Sequence, residues 1–181
     1  MKAGAALLCA AALLAASGAS AQAIDSNAPI DITADELEVV NSGCQQIWRG
    51  GAEVLQGPAR LRADTLNVFL KQKGPSKPAT AAAPAQANCG DAERLEAVGN
   101  VYYVTGERRV RGDNAVYDVP GETIVITGDV VAAQGPNVLR GRKLVVNTKT
   151  GQAQMQSDAK GRNKPGRVRG VFYPNSQDRR S

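Results

Sequence analysis

A repeat of 29 residues constrains what this chain can fold into more than any other feature of its sequence. With Gly50, Gly99 and Gly128 in register, a second glycine falls seven residues on in every copy, at Gly57, Gly106 and Gly135. An arginine falls twelve on (Arg62, Arg111, Arg140), and a small residue follows it (Ala63, Gly112, Gly141). Positions sixteen and eighteen carry Leu66/Val68, Ala115/Tyr117 and Leu144/Val146. Gly99 and Gly128 stand 29 residues apart, whereas Gly50 and Gly99 stand 49 apart, one repeat plus 20. The additional 20, residues 71–90, are rich in Pro, Ala and Lys without any period and read as a flexible insertion. One step back from the first full copy, Ala34, Asp35, Leu37 and Val39 lie under Ala63, Asp64, Leu66 and Val68, so the repeat begins part-way through a unit near Ile30. A unit of this length cannot bury its apolar face alone and must stack on its neighbours.

The units are made of strands. Apolar residues before each leading glycine (Leu95 and Ala97, Ile124 and Ile126, Ala153 and Met155) alternate with polar ones, the period of half-buried β-structure. After the glycine, Ala52/Val54, Val101/Tyr103 and Val130/Ala132 share one parity, and Leu61, Val110 and Leu139 point the same way. The parity then flips at Leu66 and Val68, which predicts a bulge or corner at Ala63, Gly112 and Gly141. Gly57-Pro58 and Gly135-Pro136 mark turns at one side of the stack, Pro120-Gly121 and Thr150-Gly151 at the other. The expected fold is all-β, a stack of antiparallel units with free strand edges at both ends, near Ile30–Val39 and Val145–Met155.

Residues 1–23 have the three parts of a cleaved secretory signal: Lys2, an apolar run from Leu7 to Ala16, and small residues at Ala19, Ala21 and Ala23. That run is too short to span a membrane. The mature chain then runs from residue 24, with the repeat domain at 24–157 and a basic tail at 158–181 that is expected to be disordered, its run 168–174 being the one place that could form a strand or a binding motif. An exported chain with two remaining cysteines, Cys44 and Cys89, reads as having one disulfide rather than two buried thiols, because both lie in Gly-, Asn- and Gln-rich sequence. There is no histidine among the 181 residues. This removes Ser-His-Asp and Cys-His catalysis and imidazole metal sites, and no serine lies near a base able to activate it. No cofactor or metal is expected. The net charge of +5 is concentrated in the tail. In an exported protein such a tail suits anionic head groups, an acidic partner or plain solvation rather than nucleic acid.

The phrases ITADELEV, GGAEVLQGPARLRADTLNVF, EAVGNVYYVTGERRVRGDNAVYD and GDVVAAQGPNVLRGRKLVVN resemble the LptA/OstA family of periplasmic lipopolysaccharide-transport proteins over about residues 30–157. The resemblance implies a twisted, open β-jellyroll whose two antiparallel sheets enclose an apolar groove. It implies lipopolysaccharide as ligand, with the lipid A acyl chains in the groove, and head-to-tail homo-oligomers joined through edge strands. It also implies an LptC-like inner-membrane partner and an LptD-like outer-membrane translocon. Localisation follows as the periplasm, between the two membranes.

On pattern alone the inward column is a packed core, since apolar stripes usually pack. With the resemblance added it becomes a lipid groove, and the candidate contacts are Trp48, Val54, Leu61, Leu66, Val68, Leu95, Val101, Tyr103, Val110, Ile124, Ile126, Val130, Leu139, Leu144, Val146 and Met155. The alternative is a related partner-binding module, LptC-like or like the LptD N-terminal domain, that never carries lipid. A polysaccharide-cleaving repeat would need paired carboxylates in a cleft. Asp35, Asp64 and Asp113 do share a column, but the second and third stand two residues from Arg62 and Arg111, which reads as an outward ladder of ion pairs. The expected activity is non-enzymatic.

Overall fold

Alternating sequence with β-branched and aromatic residues on the inward parity makes extended chain, and paired turns fold it back antiparallel. The computed structural model describes residues 28–74, 88–159, 161–162 and 164–174. The expected signal segment, 1–23, and the body of the expected insertion, 75–87, lie outside these. The strands are β1 (Ile30–Thr33), β2 (Glu36–Val40), β3 (Gln45–Gln56), β4 (Ala59–Gln72), β5 (Cys89–Thr105), β6 (Arg108–Asp118), β7 (Thr123–Gln134), β8 (Asn137–Asn147), β9 (Ala153–Gln156) and β10 (Arg169–Val171). The described residues hold no α-helix, only a short 3-10 turn at Asn41–Gly43.

All pairings are antiparallel, in the order β1-β3-β4-β5-β6-β7-β8-β10, with β2 also on β3 and β9 also on β8. The first and last described strands do not meet, so the sheet is open. The six long strands each cross a line of register shifts near their middle, which divides the sheet into two layers. One layer holds β2, 45–49, 65–72, 89–98, 114–118, 123–127, 143–147 and β9. The other holds β1, 52–56, 59–62, 101–105, 108–112, 130–134, 137–141 and β10. Buried residues from both layers form one apolar cluster, so the two inner faces look at each other.

The line itself corrects the position expected for the bulge. The additional residue belongs to the glycine strand: Gly50-Gly51, Gly99-Asn100 and Gly128-Asp129 stand opposite the single residues Asp64, Asp113 and Arg142. Two against one is a bulge, and it shifts the parity of β4, β6 and β8. Gly99 and Gly128 have φ of 80° and 107°, where glycine alone is unstrained. The carboxylates of Asp35, Asp64 and Asp113 lie over Gly50, Gly99 and Gly128, so closely that a methyl group there would collide with them. Asp64 also accepts a hydrogen bond from Asn100 Nδ2 at 2.8 Å, and Asp113 from the Asp129 amide at 3.3 Å. The aspartate column is therefore a row of seats for glycine rather than an ion-pair ladder. Among the described residues Arg62 pairs with Glu53 and Arg111 with Asp129 instead. Ala63, Gly112 and Gly141 are small because they lie beside this line. A Cβ on Gly112 would come 2.6 Å from Ile126 Cγ2.

Two further expectations change. Residues 71–72 and 89–90 belong to β4 and β5, and the Lys73 amide bonds to the Asn88 carbonyl at 2.8 Å, so pairing runs into the 71–90 segment from both ends. Within the tail, residues 169–171 form β10 on residues 138–140 of β8, because that half of β8 would otherwise present an unpaired edge. The far edge is accordingly β9 with β10, not Val145, which is paired on both sides with Val125 and Gln154. Cys44 and Cys89 are joined by a disulfide with Cα atoms 5.6 Å apart. Together with the bond from the Leu70 amide to the Cys44 carbonyl, it ties the ends of β3, β4 and β5 together beside the insertion.

Candidate functional site

The space between the two layers is the site. Its floor is closed. Leu66, Val101, Ile126 and Val130, all within three residues of the bulge line, are at most 1% exposed and pack layer against layer. Farther from the line the layers separate. An apolar cavity of about 50 Å³ opens between Val54, Ala59 and Leu61 on one wall and Leu95, Ala97, Tyr117 and Ile124 on the other. Toward β8 a larger recess of about 330 Å³ follows, lined by Val110, Ala132, Leu139, Leu144 and Val146 and edged by Phe172. Tyr103 borders both spaces. A recess of about 540 Å³ near the disulfide is more polar, walled by Phe69, Leu70, Glu93, Arg94 and Asp118, with the Arg94 guanidinium 4.4 Å from the Phe69 ring centre.

The inward positions expected from parity all fall in this interior. Val54, Leu66, Val68, Leu95, Val101, Tyr103, Val110, Ile124, Ile126, Val130, Leu144 and Val146 are buried in the common cluster. Trp48, Leu61 and Met155 pack half-buried against it, and Leu139 is half-buried in the larger recess. Packed core and groove both occur, at different distances from the bulge line. Counting parity could not separate them, because both present the same alternation. Sequence reasoning left out the polar members, Gln56, Thr105, Arg108, Gln134 and Asn137, together with Phe172 from the tail. Thr105 was findable, two residues after Tyr103 on the same face of β5.

The interior is electrostatically quiet. Burial pushes the Tyr103 phenol up to about 12, with Thr105 and Arg108 opposing weakly, and burial raises Tyr117 as well. The buried hydroxyl of Tyr103 faces that of Thr105, and that of Tyr117 faces Thr148; Tyr103, Thr105 and Tyr117 find no other hydrogen-bond partner. Arg108 lines the larger recess and donates to the Gly151 carbonyl at 3.2 Å. Among the described residues no cluster of acidic or cysteine side chains is placed to hold a metal ion. What this arrangement offers chemically is apolar contact from two walls joined along one line.

Residues 31–152 match the family model described as LptA/(LptD N-terminal domain) LPS transport protein. An uncharacterized protein of Rhizobium meliloti (strain 1021) is 32% identical over 157 residues, covering 85% of this chain and 80% of that protein. Among solved structures, the fold is similar to that of LptH from Pseudomonas aeruginosa, described as the LptA homologous periplasmic component of the conserved lipopolysaccharide transport device. That likeness has a TM-score of 0.65 at 19% identity and covers 83% of this chain and 99% of that one. With an open, antiparallel, two-layered β-fold and a family match spanning most of its length, the chain belongs to the LptA/OstA family of lipopolysaccharide-transport proteins.

Proposed function

We propose that this protein is a periplasmic carrier that holds the acyl chains of lipopolysaccharide between its two layers and links inner- and outer-membrane components through its strand edges. The observation that carries the reading is the divided interior: closed along the bulge line, open and apolar away from it. Apolar contact contributes roughly 0.8 kcal/mol per buried methylene and has no direction, so a chain can be held by many weak contacts and still slide. Val54, Leu61, Leu95, Ile124, Leu139 and Val146 are the contacts we assign first, because they face space rather than only each other. The β1/β2 edge would pair with the β9/β10 edge of a second copy or with a like-folded LptC- or LptD-type partner, main chain to main chain. Export by cleavage after the signal segment belongs to the same reading.

A photo-crosslinking residue at Leu139, compared with one at outward-facing Tyr102, tests the carrier. Lipopolysaccharide should be captured at Leu139 and not at Tyr102. Capture of protein alone at Leu139 would transfer the chain to the partner-binding class.

A further inference from the structure

Buried polar groups are almost always paired, and a buried hydroxyl without a partner calls for a reason. Tyr103 is 4% exposed; its hydroxyl and that of Thr105 face each other, and neither finds a partner elsewhere. Phenylalanine and valine would fill the same volumes without leaving a polar atom unmet. Both residues stand on the inner face of β5, where the small cavity passes into the larger recess. Arg108, at the start of β6, reaches the same recess. The rest of the wall is chiefly hydrocarbon, from Val110, Leu139, Leu144 and Val146, with Gln134 and Asn137 as its other polar side chains. A plain alkyl chain makes no use of such a corner; an oxygen with two lone pairs can accept from two hydroxyls at once.

We propose that Tyr103, Thr105 and Arg108 form a hydrogen-bonding subsite for the carbonyl oxygen of the ester or amide that joins an acyl chain to its head group. The inference rests on the acyl-binding reading above and adds a register to it. The chain lies along the apolar wall, and the point where it joins its head group is fixed at Tyr103. Sliding then has a preferred stop.

A matched pair of probes isolates the carbonyl: monolauroyl glycerol, an ester, and 1-O-dodecyl glycerol, its ether counterpart. Binding of each to the intact mature chain is measured by calorimetry below the concentration of micelle formation. The wild type should prefer the ester by about two- to ten-fold, the range for one net neutral hydrogen bond. Tyr103→Phe and Thr105→Val should each shrink that preference, and the double variant should abolish it by weakening binding of the ester. Because the double variant removes both hydroxyls and leaves neither unmet, it should melt no earlier than wild type. Equal affinity of the wild type for the two probes, or a preference that survives the double variant, overturns the subsite and leaves the groove standing. Binding of neither probe overturns the acyl-binding reading with it.

Discussion

Gly99 is set by one neighbour and one dihedral angle. The Asp64 carboxylate covers its α-carbon, and its φ of 80° excludes ordinary side chains. Gly99→Ala should therefore destabilise the fold by about 1–3 kcal/mol in denaturant titration. Pairing it with Asp64→Gly should recover part of that loss, since the collision goes and the backbone strain stays. A glycine at each repeat start was plain in the sequence. Its aspartate partner was readable too, at a constant spacing of 15 residues (Asp35 to Gly50, Asp113 to Gly128), or 35 across the insertion (Asp64 to Gly99). That long spacing is masked by a shorter one, since Arg62 and Arg111 stand two residues from Asp64 and Asp113 and suggest ion pairs. Tyr103 supplies a second test. The unfolded chain loses its phenol proton near pH 10, while the folded chain keeps it to about 12. Across that window the unfolded state binds fewer protons. Stability is thus fully present below pH 10 and falls as pH rises, by up to about 1.4 kcal/mol per unit, with Tyr117 adding in the same direction. Unfolding midpoints between pH 9 and 12 should fall less steeply for Tyr103→Phe than for wild type.

At the scale of elements, the two ends of the sheet are built alike, each from two short strands on one long strand: β1 and β2 on β3, β9 and β10 on β8. They are not held alike. β10 is three residues long, all of them exposed, and it sets Arg169 directly opposite Arg140. Like charges facing across a pair weaken it. Deleting residues 158–181 should leave the melting temperature within about 2 °C of wild type, while uncovering residues 138–140 of β8 and increasing self-association in analytical ultracentrifugation. A truncated chain that stays monomeric at every concentration would show that β10 does not guard that edge. The disulfide is the opposite case, a strong tie between β3 and β5 across a sequence separation of 45. Cys44→Ala/Cys89→Ala should lose about 2–4 kcal/mol. Strands, turns and this bridge were legible because period two, Gly-Pro turns and an even cysteine count are local signals. The tail strand was legible only as one of two options for the run 168–174, a strand or a binding motif, since a segment carrying Arg167, Arg169 and only a few apolar residues gains its order from an edge that composition does not reveal.

For the whole molecule, the division into floor and groove decides how a charge behaves inside it. Ile126 has no exposed surface, so Ile126→Asp should unfold the protein and say nothing of lipid. Leu139 borders open space, so Leu139→Asp should keep the fold by circular dichroism and lower lipopolysaccharide capture several-fold at a crosslinking residue placed at Leu61. The open architecture was legible in the repeat and in its resemblance to a known family; the depth at which the interior closes was not, because it depends on distance between layers rather than on order along the chain. Every long strand serves both layers, and this has a mechanical consequence. The walls cannot shear past one another, since sliding one would drag the same six strands in the other. They can only swing, as the boards of a book swing about its spine, with the change in dihedral angle gathered at Gly50, Gly99 and Gly128. A guest with more or bulkier chains would be met by rotation about that axis alone, leaving both hydrogen-bond ladders intact.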